Sequence, residues 1–203
     1  MTRAPRILVT GFGPFPGAPE NPTEWLVAEL SRQAGHPDYD LASAVLPVDY
    51  ALAGPALDAA AAGARPDIAI HFGLAAGAAG FRLERLASHH QDHSLPDNAG
   101  QSAPRGTAGR APVASQLPLD AVYAALAGRG LPVEWSDDAG GYLCNFVFYR
   151  SCAATLPPLA GAMSGFIHTS HVGEGEPLSP DEALDGARLI LGTCARAWRT
   201  RRT

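Results

Sequence analysis

The feature that most constrains the fold of this chain is the alternation of short apolar runs with helical patterns. Two of the runs, RILVTGF at 6–12 and DIAIHFG at 67–73, are rich in β-branched residues. The first ends one residue after a glycine, and the second ends in glycine. Such runs are typical of buried strands, whereas 22–33 and 50–63 have the length and composition of helices. This alternation predicts one globular α/β domain over residues 1–203, with a mostly parallel twisted sheet and helices on both faces.

Local start signals support two of the helices. Asn21 can cap a helix that begins at Pro22, and Ser179 with Glu182 forms a capping box ahead of a closing amphipathic helix. The remaining patterns predict strands at 41–48, 133–135, 165–170 and in part of 81–95, and helices at 118–130 and 142–155.

One segment has no periodic pattern. Residues 99–113, AGQSAPRGTAGRAPV, are small or polar, and we expect a long mobile loop of the kind that often covers a functional site. Parallel sheets bind ligands beyond the carboxyl ends of their strands. The ends of interest are therefore Gly11 to Gly17, Gly73 to Gly77 and His168 to His171.

Composition excludes several functions. Hydrophobic residues make up 46% and charged residues 17%, and the net charge of −5 argues against nucleic-acid binding. All 15 basic residues are arginine, which excludes lysine Schiff-base chemistry and a phosphate-loop lysine. The apolar runs end before about 18 residues, so no membrane span is predicted. The start of the chain lacks a signal-peptide layout, and the three cysteines have no C-x-x-C spacing; both predict a cytoplasmic protein.

Cys144 lies in GGYLCNFVFY, where two glycines precede a predicted helix. The free N–H groups and the dipole at a helix N-terminus favour a thiolate, so Cys144 is a candidate nucleophile. Free cysteine also packs well on an apolar helix face, and on spacing alone the pattern favours a buried core residue. Cys152 and Cys194 are interpreted as core residues.

A cysteine nucleophile needs an imidazole and a group that orients it. His168 ends the predicted strand GFIH, where a sheet presents residues to a cleft, although the sequence alone slightly favours a structural histidine there. Glu84 lies between apolar neighbours and is a candidate orienting carboxylate. It could equally be exposed or paired with Arg82 or Arg85.

Other constellations are weaker. His89, His90 and His93 with Asp92 suggest a metal site, but strand alternation splits the histidines between two faces and no further ligands complete a set. The loop TGFGPFPG at 10–17 has a misplaced third glycine and two prolines, which argues against a nucleotide site. Its rings, Phe12 and Phe15, could wall a small apolar pocket or simply pack beneath the loop.

Taken together, the segments resemble pyroglutamyl peptidase I, the pyrrolidone-carboxylate peptidase family of cysteine exopeptidases. The similarity rests on TGFGPFPG, ENPTEWL, VLPV, PDIAIHFGLAAGAAGFRLERLA, LPDN, SDDAGGYLCNFVFY and GFIH, in matching order and spacing. It implies removal of an N-terminal pyroglutamyl residue from peptides through a thioester acyl-enzyme. By the same resemblance Cys144 is the nucleophile, His168 the general base and acid, and Glu84 the residue that orients His168.

The resemblance also implies the substrate-binding residues. These residues are Phe12, Phe15, Leu74, Asn21, Tyr142 and Leu143. The lactam ring is expected against the two phenylalanines, with its amide edge read by backbone groups near Leu74. Backbone N–H groups at the start of the Cys144 helix are expected to hold the oxyanion. The family uses no metal or organic cofactor and is usually a homotetramer.

Two departures from the family pattern leave alternatives open. Ser94 and Ala78 stand where the family commonly has arginine, and Arg82 or His93 could supply the missing charge. The chain could therefore be a cysteine amidase with another small cyclic substrate. A third possibility is a catalytically silent protein that binds blocked N-termini.

Overall fold

The computed structural model describes residues 3–32, 35–89, 92–104, 111–153 and 157–202. Within them lie the strands β1 (Arg6–Phe12), β2 (Asp40–Leu46), β3 (Ile68–Leu74), β4 (Phe81–Glu84), β5 (Leu86–Ala87), β6 (Val113–Ala114), β7 (Val133–Ser136) and β8 (Met163–Thr169). The helices there are α1 (Pro22–Ser31), α2 (Tyr50–Ala64), α3 (Leu119–Gly128), α4 (Leu143–Cys152) and α5 (Pro180–Thr200).

Six strands form one sheet in the order β2-β1-β3-β8-β4-β7. The first four are parallel, β4 is antiparallel to β8, and β7 is parallel to β4. β5 and β6 pair antiparallel in a separate ribbon. The predicted mostly parallel sheet is therefore confirmed, with a reversed pair of strands at one edge.

Helices cover both faces of this sheet, as predicted. Successive residues of β1 point to opposite sides: Ile7 joins the core beneath α1, α3 and α5, whereas Leu8 joins the core beneath α2 and α4. Leu26 of α1 lies in the first core, and Leu57 of α2 and Phe148 of α4 lie in the second. These side chains are 2% exposed or less, so burial of both sheet faces is what fixes the helices in place.

The predicted helix starts agree with the structure. The Asn21 side chain accepts a hydrogen bond from Thr23 N, and Ser179 and Glu182 form the reciprocal capping box. Helix α1 ends at Ser31, shortly before the predicted end at residue 33, which lies outside the described residues. None of the described helices has the length and apolarity needed to cross a membrane.

Three predicted segments agree with the structure only in part. The mixed region 81–95 forms β4 and β5 and then leaves the sheet in turns, while residues 90 and 91 lie outside the described residues. Of the predicted loop 99–113, residues 105–110 also lie outside them, and Val113 begins β6. The predicted helix 142–155 is α4, which ends at Cys152.

Candidate active site

Cys144 is the second residue of α4 and is half-buried. Gly140 adopts a φ of +79°, a left-handed conformation that favours glycine, and so allows the chain to turn into the helix. No side chain caps this helix, which leaves its first N–H groups without the usual partner. Cys144 therefore lies where backbone donors and the helix dipole stabilise negative charge.

The other two cysteines are core residues, as predicted. Cys152 and Cys194 are 3% and 0% exposed, and burial raises the pKa of each thiol to about 12. Neither thiol is available as a nucleophile at neutral pH.

Gly73 of β3 approaches the sulfur of Cys144 closely. A Cβ atom built at Gly73 would lie 2.8 Å from Cys144 Sγ and 2.7 Å from Cζ of Phe166. Real Cβ contacts are essentially never this short, so only glycine fits between the sulfur and the Phe166 ring. The sequence showed a glycine at the end of a strand, but not this contact.

His168 and Glu84 face each other across the antiparallel pair β8–β4. His168 Nδ1 lies 2.7 Å from Glu84 Oε1, and the two residues are 5% and 0% exposed. Because Nδ1 is bonded to Glu84, Nε2 is the ring nitrogen available to the Cys144 side chain, which lines the same cavity as His168. Glu84 is thus buried, and the alternative in which it pairs with Arg82 or Arg85 is not observed: those arginines pair with Glu134 and Asp137.

The electrostatics of His168 favour its charged form. Burial alone lowers its pKa, but the Cys144 sulfur and the Glu84 carboxylate outweigh burial and raise the pKa from 6.5 to about 9. An imidazolium that is oriented by the bond from Nδ1 to Glu84 can donate the proton on Nε2 to a group in the cavity. This arrangement is suited to thiolate–imidazolium chemistry.

One cavity of about 240 Å³ is lined by both Cys144 and His168. All six predicted substrate-binding residues line it together with Cys144 and His168. They are Phe12, Phe15, Leu74, Asn21, Tyr142 and Leu143. The structure thus brings every predicted site residue except the buried Glu84 to the surface of a single cavity.

An aromatic wall, formed by Phe12, Phe15 and Tyr142, bounds one side of the cavity. The rings of Phe15 and Tyr142 lie 6.4 Å apart between centroids. The Tyr142 hydroxyl donates to the Pro96 carbonyl at 3.0 Å, and the Asn98 amide donates to the Pro14 carbonyl at 2.9 Å. The LPDN segment at 95–98 therefore bonds both to Tyr142 and to the loop that contains Phe15, and connects these two parts of the wall.

Asn21 fixes the loop that contains the two phenylalanines. Its side chain accepts from Thr23 N and Oγ1 and donates to the Gly13 carbonyl at 3.0 Å. Both its amide oxygen and its amide nitrogen are used within the protein, so Asn21 shapes the cavity and caps α1 at the same time.

The two departures from the family pattern fall outside this constellation. Ala78 is buried, and the Ser94 hydroxyl bonds Asp92. Arg82 lines the cavity, whereas His93 bonds the Ala103 carbonyl at 3.0 Å. Of the two groups proposed to replace the missing charge, the structure places Arg82 at the cavity.

The described residues contain no group of three or more His, Cys, Asp or Glu side chains that could hold a metal ion. His89 instead packs edge-on against Tyr149, with ring centroids 5.1 Å apart. His90, part of the weak metal hypothesis, lies outside the described residues.

A buried hydrogen-bonded series of Thr10, His71 and Ser151, here called the relay, was not predicted. Thr10 Oγ1 lies 2.7 Å from His71 Nδ1, and His71 Nε2 lies 2.8 Å from Ser151 Oγ. Burial lowers the pKa of His71 to about 3, so this imidazole is neutral. Ser151 follows Cys144 by two helical turns on the same face, and the relay therefore fixes the rotation of α4 against the sheet. A histidine in the otherwise apolar run IAIHFGL at 68–74 was the available signal.

Comparison with known proteins gives a consistent result. The family model described as pyroglutamyl peptidase matches residues 5–184. Pyrrolidone-carboxylate peptidase of Clavibacter michiganensis is 37% identical over 190 residues, which cover 92% of this chain and 85% of that protein. The enzyme of that name from Pyrococcus furiosus is 38% identical over 173 residues, covering 83% and 82%. The solved structure of a variant of the Pyrococcus furiosus pyrrolidone carboxyl peptidase superposes with a TM-score of 0.84, at 32% identity, over 94% of this chain and 98% of that one.

Proposed function

Since this chain belongs to the pyroglutamyl peptidase family of cysteine peptidases, we propose that Cys144, His168 and Glu84 are the residues with which it removes N-terminal pyroglutamyl residues from peptides. The observation that supports these assignments most strongly is the buried 2.7 Å bond between His168 Nδ1 and Glu84 Oε1, at a site where Cys144 and His168 line the same cavity. The aromatic wall lines this cavity as well.

The first chemical step is attack of the Cys144 thiolate on the carbonyl that links the pyroglutamyl ring to the peptide. The N–H groups at the start of α4 lie beside the sulfur and stabilise the oxyanion. One such donor is typically worth about 3 kcal/mol. His168 then gives the proton on Nε2 to the leaving amine, the C–N bond breaks, and a thioester remains on Cys144.

Water completes the reaction. His168, now neutral, takes a proton from water, and the resulting hydroxide attacks the thioester. Free pyroglutamate leaves, and the thiolate–imidazolium pair is restored. Glu84 holds the imidazole in the required orientation throughout, because its Oε1 is bonded to Nδ1.

Recognition of the ring depends on the shape and polarity of the cavity. The lactam of the substrate has an apolar rim and one amide edge, and Phe12, Phe15 and Leu143 offer apolar surface. Backbone groups near Leu74 can pair the amide edge. An ordinary N-terminus would bring an ammonium group against Phe12, Phe15 and Leu143, whose side chains offer it no acceptor, and so would be disfavoured.

The test is hydrolysis of a fluorogenic pyroglutamyl amide under reducing conditions. We expect turnover by the wild type and none by Cys144→Ala or Cys144→Ser, while the control Cys194→Ala, which alters a buried thiol remote from the cavity, retains activity. A panel of other N-blocked amides shows whether the pyroglutamyl group is preferred. Turnover by both Cys144 variants would refute the assignment, and binding without product would indicate the silent alternative.

The cellular setting is part of the same proposal. The family resemblance supports a homotetramer that acts in the cytoplasm on pyroglutamyl peptides, without metal, organic cofactor, nucleic acid or membrane. The three free cysteines agree with a reducing compartment. Sedimentation of the purified chain tests the tetramer.

A further inference from the structure

Arg82 is the direct cross-strand neighbour of the proposed general acid. In the antiparallel pair β4–β8, Arg82 is in register with His168, and residues opposite one another in such a pair point to the same face. Arg82 also lines the cavity that contains Cys144 and His168. A fixed positive charge therefore lies on the cavity wall one strand away from the reacting groups.

The strand order places Arg82 and the aromatic wall on opposite sides of His168. Across the sheet the order is β1, β3, β8 and β4, which bring Phe12, Leu74, His168 and Arg82 to the cavity in that sequence. Strands lie about 4.8 Å apart, so Phe12 and Arg82 are separated by three steps, or about 14 Å. The acyl ring against Phe12 cannot also reach Arg82.

The part of the substrate beyond the scissile bond must lie on the Arg82 side, an inference that rests on the proposed function. With the ring against β1 and β3, His168 protonates the leaving nitrogen above β8. The peptide that departs therefore extends toward β4. Arg82, opposite His168 on β4, is the residue of the cavity lining that lies on this side in the strand order.

Arg82 has hydrogen-bonding capacity left for a ligand. Its Nε donates to Glu134 Oε1 at 2.7 Å, and its Nη2 donates to the Gly77 carbonyl at 3.2 Å. The guanidinium carries five N–H groups in a planar fork, so three remain without a partner among the described residues, and the side chain is 27% exposed. The fork geometry of arginine matches a carboxylate oxygen pair.

We propose that Arg82 is a specificity-determining residue that binds a carboxylate of the leaving peptide. That carboxylate can be the α-carboxylate of a pyroglutamyl dipeptide or the acidic side chain of the second residue. Two nearby acids limit the effect: Glu134 is paired with Arg82, and Asp138, also at the cavity, accepts from Gly140 N. We therefore expect a preference of about fivefold, the upper range for a partly exposed ion pair.

The experiment compares kcat/KM for matched substrates within each enzyme, so that any general loss of activity divides out. The first pair is pyroglutamyl-alanine and its amide, which reports on the α-carboxylate. The second pair has glutamate as its second residue. In one member both carboxyl groups of that glutamate are amides, and in the other only the α-carboxyl group is an amide. This pair reports on the side-chain carboxylate. In the wild type we expect the charged member of at least one pair to be favoured about fivefold.

Three variants test the residue. Arg82→Gln should reduce the ratio to about one, and Glu134→Gln should increase it, because it removes the competing anion. The control Arg85→Gln alters an arginine that pairs with Asp137 on the same edge of the sheet, and should leave the ratio unchanged. A wild-type ratio of one for both pairs, or an Arg82→Gln enzyme that keeps the wild-type ratio, would overturn the inference. Both results leave the proposed function intact provided that the neutral amides are hydrolysed, whereas failure to hydrolyse any pyroglutamyl substrate would overturn both.

Discussion

The substitution Gly73→Ala tests how tightly the nucleophile is packed. The new Cβ would lie 2.8 Å from Cys144 Sγ, whereas an ordinary van der Waals contact is 3.4–4 Å. The sulfur must therefore retreat by about 0.6 Å, since the strand beneath it is paired on both sides and cannot yield freely. Displacement of a reacting atom by about 1 Å can cost about a hundredfold in rate. We expect a loss of about ten- to a hundredfold in kcat/KM.

The same Cβ also affects stability, because it would lie 2.7 Å from Cζ of Phe166. Overpacking of a buried site typically costs about 1–3 kcal/mol. The assay therefore combines kcat/KM on the fluorogenic amide with urea unfolding. Adding Phe166→Leu to Gly73→Ala should relieve the contact with the Phe166 ring and change the free energy of unfolding. The kcat/KM should stay low, because the contact between the new Cβ and Cys144 Sγ remains.

The matched control is Gly63→Ala in α2, where nothing lies within 4 Å of the added Cβ. It should preserve activity and stabilise the helix slightly. A folded Gly73→Ala enzyme with wild-type kcat/KM would refute the reasoning, since the sulfur would then tolerate the displacement.

Three further predictions concern charge and packing. With the pKa of His168 raised from 6.5 to about 9, the imidazolium persists to that pH. The plot of kcat/KM against pH should therefore fall above about pH 9. Glu84→Gln should move this fall to lower pH, because it removes an anion that raises the pKa of His168. A fall at the same pH in the variant would contradict this. By linkage, the stability that His168 contributes is fully present below pH 6.5 and is lost as pH rises through about 9, which urea midpoints at pH 6 and 9 can measure. Ser151→Ala should cost about 1–3 kcal/mol in urea unfolding, since it leaves Nε2 of buried His71 unpaired; an unchanged midpoint would argue against the relay.

Much of the architecture could be predicted from local signals. The strands at 6–12 and 67–73 and the caps at Asn21 and Ser179 depend on residues close in sequence, and the structure agrees with them to within a few residues. Strand direction at the far edge could not be predicted in this way. β4 and β7 have four residues each, and such short strands contain no signal of their orientation.

The site was predictable where it depends on residue type and less so where it depends on proximity. A thiol after two glycines and a histidine at a strand end were visible in the sequence, and the family resemblance joined them to Glu84. The 2.7 Å bond between His168 and Glu84 spans 84 positions and could not be derived from spacing. Likewise the fit of Gly73 beneath the sulfur and the His71 relay arise only from packing of α4 on the sheet.

We propose above all that Cys144 forms a thioester with the pyroglutamyl group, and acyl trapping tests this step most directly. A pyroglutamyl aryl ester acylates the enzyme quickly, so that hydrolysis of the thioester becomes the slow step. Quenching the reaction with acid preserves this thioester intermediate. Cleavage after Arg129 and Arg150 then isolates Cys144 from Cys152 and Cys194. We expect one pyroglutamyl group on the peptide that contains Cys144, in the wild type and not in Cys144→Ser. Turnover with the acyl group on any other peptide, or with no acylated Cys144 under these conditions, would contradict the proposed mechanism.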